Sequence, residues 1–328
     1  MKKIAILYVV IISTSLFAQT ETSKISSMPG AFSRMGFGAR GMGMANAMSA
    51  ITDGNISSYY NPALSAFQEG NSFQTSYSVL SLDRSLNFLN FTKKFQFGSR
   101  DNLEFQRTAG ISIGIINSGV SNIEERNSSG EKTGDISTSE NQFFFGLSNR
   151  FSKKFAVGVN FKFYYYSLYE EISSTSLGFD VGALYMIDEN FTVSAMISDI
   201  NSKYKWDTTD LWGSGGRNSQ ERFSLLKKVG LSYWSKESKI KAAIELESSN
   251  AETNFLRVGV EYNIFQELFI RGGVDKMNIS NTEFPARPSA GFSYVFQRGS
   301  IKFSVDYAFI VDPYAPQDQH IVGVNFIF

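Results

Sequence analysis

Hydrophobic residues alternate with polar or small residues along the chain from about residue 72 to its end. The alternation is clearest over residues 155–165, 176–185, 256–264 and 301–309. A period of two is the repeat of a β-strand that has one apolar face. The stretch that ends at Phe328 has the same repeat, so we expect strands to continue to the last residue.

The repeat predicts about fourteen strands of roughly ten residues each. Short connections, such as 265–267, alternate with long polar ones, of which 117–140 and 199–222 are the longest. An outer-membrane barrel with short periplasmic turns and longer outer loops has this arrangement. We therefore predict an all-β fold, a transmembrane antiparallel up-and-down barrel over residues 71–328, in the outer membrane of a Gram-negative cell and with a periplasmic C-terminus. The strand centres are expected near residues 77, 89, 113, 145, 160, 181, 195, 231, 243, 260, 271, 292, 305 and 324.

The composition of the two strand faces decides between a membrane barrel and a soluble one. One face carries the bulky residues, and the other carries small and charged ones. A soluble sandwich or lipocalin-like barrel would place the bulky residues inside. We expect Phe161, Val181 and Val260 to face lipid instead. The aromatic content of 15% and the 27 glycines agree with a membrane barrel, in which one face of each strand meets lipid.

Charged residues are expected on the inward face of four strands, each of which has a base and an acid four residues apart. A turn at 265–267 would place Glu261 opposite Arg271 and Arg257 opposite Asp275. Opposite charges on neighbouring strands favour this register. We interpret both pairs as structural ion pairs in the lumen rather than as a charged filter for a polar solute.

The first residues have the pattern of a secretory signal peptide, with a basic start, an apolar stretch and a small residue at Ala18. Residues 1–18 are therefore expected to be removed. This lowers the 31 basic residues to 29, against 31 acidic ones, so nothing indicates nucleic-acid binding. The chain has no cysteine, one histidine (His320) and no nucleophile motif, so we expect no enzyme, no cofactor and no metal site.

The segment 19–70 differs from the rest of the chain because it is rich in glycine, methionine and alanine. It is too apolar for a free linker and too short for a separate domain. We expect it to lie inside the barrel as a plug or hatch, where small and adaptable side chains suit a confined space. Its motif residues are Gly38, Ala39, Arg40, Gly41, Gly43, Asn61, Pro62 and Ala63.

The motif residues resemble the start of proteins of the PorV/PorQ family, within the wider FadL-like group of outer-membrane barrels. The resemblance implies a fourteen-stranded barrel with an N-terminal hatch that contains the Asn-Pro-Ala element. It also implies a role in type IX secretion, in which PorV-like proteins receive exported cargo and pass it to surface attachment. The FadL-like alternative implies transport of long-chain fatty acids or other hydrophobic small molecules.

The connection 199–222 contains apolar residues suited to binding a partner at the outer rim. They are Tyr204, Trp206, Leu211 and Trp212. The same residues are equally suited to the aromatic girdle that meets the membrane interface. The expected partners are outer-membrane lipid and either secretion components with their cargo or a hydrophobic small molecule. A barrel with a structural role alone is a third hypothesis, and a wall gap near Gly110, Gly114 and Gly119 would favour transport.

Overall fold

The computed structural model describes residues 23–97, 107–169 and 172–328. The predicted signal peptide, residues 1–18, lies outside the described residues. Short helices precede the first strand, and none of the described helices is long and apolar enough to cross a bilayer. They are the 3-10 helices Lys24–Ser27, Phe32–Arg34 and Pro62–Phe67 and the α-helix α1 (Gly38–Gly43).

Fourteen of the sixteen described strands form one closed antiparallel barrel. The barrel strands are β1 (Asn71–Val79), β2 (Arg84–Phe97), β3 (Arg107–Arg126), β4 (Lys132–Arg150), β5 (Phe155–Tyr169), β6 (Ile172–Met186), β7 (Phe191–Ile200), β10 (Leu226–Ser235), β11 (Ile240–Ser249), β12 (Asn254–Asn263), β13 (Leu268–Asn278), β14 (Arg287–Arg298), β15 (Ile301–Ile310) and β16 (Gln319–Ile327). The connection between β7 and β10 forms a separate hairpin. It consists of β8 (Lys203–Asp207), the short helix α2 (Thr209–Trp212), the 3-10 turn Gly213–Gly215 and β9 (Asn218–Arg222).

The sheet closes where its first strand pairs with its last. The backbone N–H of Asn71 donates to the carbonyl of Phe328 at 2.8 Å, and the N–H of Phe328 donates to the carbonyl of Asn71 at 2.9 Å. Backbone groups in hydrocarbon need partners within the protein, and a closed barrel supplies them. Each of the fourteen predicted strand centres lies within a barrel strand, so the predicted fold class is confirmed.

The two faces of the strands have the predicted orientation. Phe161, Val181 and Val260 point outward, with 44%, 49% and 41% of their surface exposed. Asn160 and Asp180, the strand neighbours of the first two, point inward and are fully buried. The outside of the barrel is therefore the apolar surface that a bilayer covers.

The prediction of a long loop over residues 117–140 is wrong. Strand β3 continues to Arg126 and strand β4 begins at Lys132, so only residues 127–131 connect them. The paired ends of both strands carry mostly polar side chains on both faces, for example Glu140 on the inward face and Ser139 on the outward face. A strand without an apolar face has no period-two signal, which is why the pattern ended too early.

The N-terminal segment, residues 23–70, passes through the lumen and packs against inward-facing wall residues. It approaches the wall so closely that two wall glycines have no room for a side chain. A Cβ at Gly110 would lie 2.2 Å from the carbonyl carbon of Ser65, and one at Gly158 would lie 2.4 Å from that of Pro62. The wall and the segment are therefore fitted to each other at backbone distance.

No gap opens in the wall between the described strands β2 and β3. Their ladder is unbroken from the pair of Arg84 and Val120 to the pair of Phe97 and Arg107. The glycines of β3 lie against other groups instead. Gly110 meets the N-terminal segment, as described above, and a Cβ at Gly114 would lie 2.2 Å from the ring of Phe144.

Substitution of Gly158 by valine tests the fit of the N-terminal segment. Valine favours strands, so its only cost here is the overlap with Pro62, and we expect a loss of about 1–3 kcal/mol of unfolding free energy. Urea unfolding of the protein in lipid vesicles measures it. Gly272→Val is the matched control, because a Cβ at the outward-facing Gly272 would meet only the carbonyl oxygen of Ser289 at 3.5 Å. Equal unfolding free energies for both variants would contradict the close fit.

Candidate functional site

The lumen has an apolar half at the end of the barrel that carries the long connections. There, inward-facing residues of β2 to β5 are bulky, and all are at most 3% exposed: Leu86, Phe88, Ile116, Phe144 and Tyr164. This corrects the expectation that inward residues are small or charged. The sequence did indicate bulky inward-facing residues, because apolar runs such as 143–145 and 163–166 interrupt the alternation.

An aromatic cluster fills this half of the lumen. Its members are Phe37, Tyr59, Phe88, Phe144, Tyr164, Tyr166, Tyr204, Trp206 and Phe223. Phe37, which comes from the N-terminal segment, packs on the wall with its ring centroid 5.0 Å from that of Phe88 and 6.0 Å from that of Phe144. Ring distances of this size are those of attractive aromatic pairs.

The four residues proposed for the outer rim do not form one surface. Tyr204 is buried in the aromatic cluster, and its hydroxyl donates to Glu140 at 3.0 Å. Burial and this carboxylate raise the pKa of Tyr204 well above its ordinary value, so the phenol stays protonated. Trp206 packs on Tyr166 at 5.2 Å, whereas Leu211 is partly exposed and Trp212 is 70% exposed.

The opposite half of the lumen, towards the short turns, is charged. Glu261 lies at its centre and contacts three cations. Arg271 approaches its carboxylate to 3.0 Å, Arg40 to 2.8 Å and Lys241 to 3.4 Å. Arg40 belongs to the N-terminal segment, so this cluster joins that segment to the wall. The sequence pattern indicated the contact with Arg271 but not the one with Arg40, which is 221 residues away in the chain.

The second predicted pair also makes contact. The Nε of Arg257 donates to Asp275 at 2.7 Å, although a bulge interrupts the ladder between β12 and β13 at this point. Arg257 also contacts Glu245 and Glu247, both at 3.1 Å. Asn46 of the N-terminal segment donates to Asp275 at 2.9 Å, so this cluster too holds the segment.

The predicted hatch motif lies in two places within the lumen. Gly38, Ala39, Arg40, Gly41 and Gly43 make up most of helix α1, which contacts β13 to β16 and β1. Pro62 and Ala63 begin the 3-10 helix that contacts β2 to β6.

Asn61 caps that 3-10 helix. Its side-chain oxygen accepts a hydrogen bond from the N–H of Ala63 at 3.0 Å. Its amide donates to the carbonyl of Ala183 on β6 at 3.2 Å. One side chain therefore both starts the helix and ties it to the wall.

A cavity of about 270 Å³ lies beside the charged half, at the end of the short turns. Basic and acidic side chains line it in equal number, among them Lys302 and Glu69 near its edge. Aromatic rings thus predominate at the long-connection end on the side of β2 to β5, although Lys162, Asp180 and Asp199 form a buried ion cluster beside Tyr164. The end of the short turns is polar and has open space.

The chain is similar to known proteins in its three-dimensional structure but not detectably in its sequence. No family model matches the chain, and no curated protein matches it. CymD, a monoaromatic hydrocarbon channel, is 14% identical, with a TM-score of 0.59 over 89% of this chain and 97% of that one. The toluene transporter TodX of Pseudomonas putida is 13% identical, with a TM-score of 0.53 over 89% and 96%. A FadL homologue of Pseudomonas aeruginosa is 10% identical, with a TM-score of 0.53 over 88% and 97%.

These likenesses establish the fold. The chain has the fourteen-stranded transmembrane β-barrel fold of these channels, and such a barrel fits the outer membrane. At identities of 10–14% they do not extend to a substrate, and none of the three is a PorV or PorQ protein.

Removal of the charge of Glu261 tests the cluster that joins the N-terminal segment to the wall. In Glu261→Gln, Arg40 and Arg271 stay buried without their carboxylate, so we expect a loss of about 3–5 kcal/mol of unfolding free energy. Urea unfolding in lipid vesicles measures it. The control is Glu69→Gln, whose pair with Lys302 is solvent-exposed and should be worth less than about 1 kcal/mol. A similar small loss for both variants would show that the cluster is dispensable.

Proposed function

We propose that the protein is a non-enzymatic outer-membrane channel for a hydrophobic small molecule, which binds first in the aromatic cluster. The observation that carries the proposal is the apolar lining of the lumen at the long-connection end. The inside of a membrane barrel is ordinarily polar and hydrated. Buried aromatic rings around the path between the long connections and the lumen suit an apolar ligand. The FadL-like fold, shared with hydrocarbon channels, supports the same conclusion.

The proposal includes an orientation and a division of the chain. Residues 1–18 are a cleaved signal peptide, residues 19–70 form the plug and residues 71–328 form the barrel. Long connections face outward and short turns face the periplasm, as is usual for such barrels. The C-terminus then lies on the periplasmic side, because Phe328 follows the end of β16 that adjoins the short turns.

The N-terminal segment is the gate in this proposal. Phe37 covers Phe88 and Phe144 of the wall, so a ligand reaches these two rings only when Phe37 moves aside. The hydrogen bonds of Arg40 and Asn46 to the wall limit that movement. The ion pairs of Glu261 and Arg257 are then structural, because they hold the segment rather than select a solute.

A second candidate function is that of a PorV/PorQ-type component of protein export. The observation that favours it is Trp212, which is 70% exposed on the hairpin between β7 and β10. Exposed tryptophans are frequent anchors of protein interfaces. Exported cargo and other secretion components would be the partners in that case, with Leu211 beside Trp212.

Deletion of the gene separates the two functions. Loss of a channel for apolar molecules should slow uptake of radiolabelled toluene or oleate several-fold, because the outer membrane then lacks its path. Surface display of exported proteins should stay normal. The plasmid-borne gene should restore uptake, and a Trp212→Ala gene should restore it equally well. Lost surface display with normal uptake would instead support the export function and reject the channel.

A reversible crosslink tests the gate. The hydroxyl oxygens of Ser49, in the N-terminal segment, and Ser194, on β7, lie 2.8 Å apart, and the chain has no cysteine of its own. We expect the oxidised Ser49→Cys/Ser194→Cys protein to lose most of its oleate transport in proteoliposomes, because the segment is then tied to the wall. A reductant should restore it.

The matched control for the crosslink is the pair Ser224→Cys/Ser249→Cys. These serines also share a hydrogen bond, but neither belongs to the N-terminal segment. Oxidation of the control should leave transport unchanged. Transport that persists through a complete Ser49–Ser194 crosslink, verified by mass spectrometry, would contradict the gate.

A further inference from the structure

A row of polar side chains crosses the outside of the barrel on β1 to β5. The register places Tyr77, Asn87, Asn117, Asn141 and Tyr165 side by side on five neighbouring strands. Neighbouring strands lie about 4.8 Å apart, so the three asparagines span roughly 10 Å and the whole row roughly 19 Å. Asparagine is unexpected on the lipid-facing side of a barrel, where each strand normally presents apolar residues.

The asparagines bond to one another in one direction. The amide of Asn87 donates to the side-chain oxygen of Asn117 at 3.1 Å, and the amide of Asn117 donates to that of Asn141 at 2.8 Å. Ser139 accepts from Asn117 at 3.2 Å and from Asn141 at 3.1 Å. Among the described residues, none donates to the side-chain oxygen of Asn87. The row therefore ends in an acceptor open to the surroundings.

The row marks the boundary of the apolar band on this side of the barrel. The outward row below it, towards the short turns, is apolar on four strands, with Leu89, Ile115, Phe143 and Phe163. The outward row above it is small and polar on β2 to β5, with Ser85, Gly119, Ser139 and Ser167. The asparagines thus lie where hydrocarbon meets the head groups of the leaflet on the side of the long connections.

An apolar groove of about 520 Å³ lies directly below the row. Tyr77, Leu89, Ile115 and Val322 form its sides, and Thr75 lies between them. The hydroxyl of Thr75 donates to the carbonyl of Phe88 at 3.1 Å, so it offers no free donor to the groove. The volume falls within the range of roughly 300–1,000 Å³ that is usual for ligand sites.

We propose that the row and the groove together bind a glycolipid of the outer leaflet, an acylated sugar of the lipid A type. One acyl chain lies in the groove, and the hydroxyl and amide groups of the sugar bond to the asparagine row. Carboxamides both donate and accept, which matches sugar hydroxyls. Tyr77 and Tyr165, at the two ends of the row, add aromatic faces and hydroxyls.

The charge of the site decides between a glycolipid and a phospholipid. None of the described residues that form the row or line the groove is charged. Phosphate recognition usually employs arginine or lysine. The site therefore binds the sugar of the glycolipid rather than its phosphates. A glycerophospholipid has few hydroxyl and amide groups with which the three asparagines could form hydrogen bonds. This binding rests on the proposed orientation of the barrel, which places the row in the outer leaflet, but it does not depend on the proposed transport.

Native mass spectrometry of the full chain, released from detergent with added monophosphoryl lipid A, tests the proposal. We expect the unaltered protein to retain one lipid molecule. Asn117→Leu should weaken retention about tenfold, the size of effect expected when one or two hydrogen bonds are lost. Thr75→Phe should abolish retention, because the ring fills the groove. Both positions face outward, so folding is checked by the heat-dependent shift in electrophoretic mobility.

Two control variants introduce leucine or phenylalanine elsewhere on the outer surface. Thr175→Leu alters an outward position beyond Tyr165 in the same row, and Val181→Phe enlarges an outward residue on β6. Both should retain lipid A like the unaltered protein. Equal retention of phosphatidylethanolamine would overturn the proposal, and so would equal loss in Asn117→Leu and Thr175→Leu. A dimer that Thr75→Phe abolishes would also overturn it, because a second copy of the chain would then occupy the groove.

Discussion

The closure of β1 on β16 encloses a lumen of fixed width, and every other feature of the protein has to fit that width. Backbone groups that face hydrocarbon cannot be left unpaired, so the wall cannot open without a large cost. The N-terminal segment has to fit within this width, and it approaches the wall at backbone distance beside Gly110 and Gly158. Because the wall has to stay paired, any movement inside the barrel is a movement of the N-terminal segment.

The N-terminal segment makes two kinds of contact with the wall: polar contacts that anchor it and aromatic contacts that a ligand can replace. The ion pair of Arg40 with Glu261 and the hydrogen bond of Asn46 to Asp275 tie the N-terminal segment to β12 and β13. Around Phe37, the contacts are between aromatic rings, which a ligand of similar chemistry can replace at little cost. A plug that is held by Arg40 and Asn46 and packed on rings at Phe37 suits the proposed channel for apolar molecules.

Outside the barrel, the apolar surface is not uniform. The asparagine row is tolerable because its side chains satisfy one another and because it lies at the edge of the hydrocarbon region, where polar groups cost less. Its position next to a groove makes this side of the barrel different from the opposite side, where Val260 belongs to an ordinary apolar surface. The proposed lipid site and the proposed path of the solute therefore lie on separate surfaces of the same wall.

The sequence by itself determined the number of barrel strands, the up-and-down order of those strands and which strand face meets lipid. A period of two is a local property, so it can be read without the tertiary structure. The sequence also indicated the contact of Glu261 with Arg271, because one short turn sets that register. Only the tertiary structure decided that Arg40 shares Glu261 and that Phe37 fills an apolar lumen. It also decided that β3 and β4 extend beyond their apolar part. These features depend on residues far apart in the chain, or on pairing without an apolar stripe, and neither leaves a periodic trace.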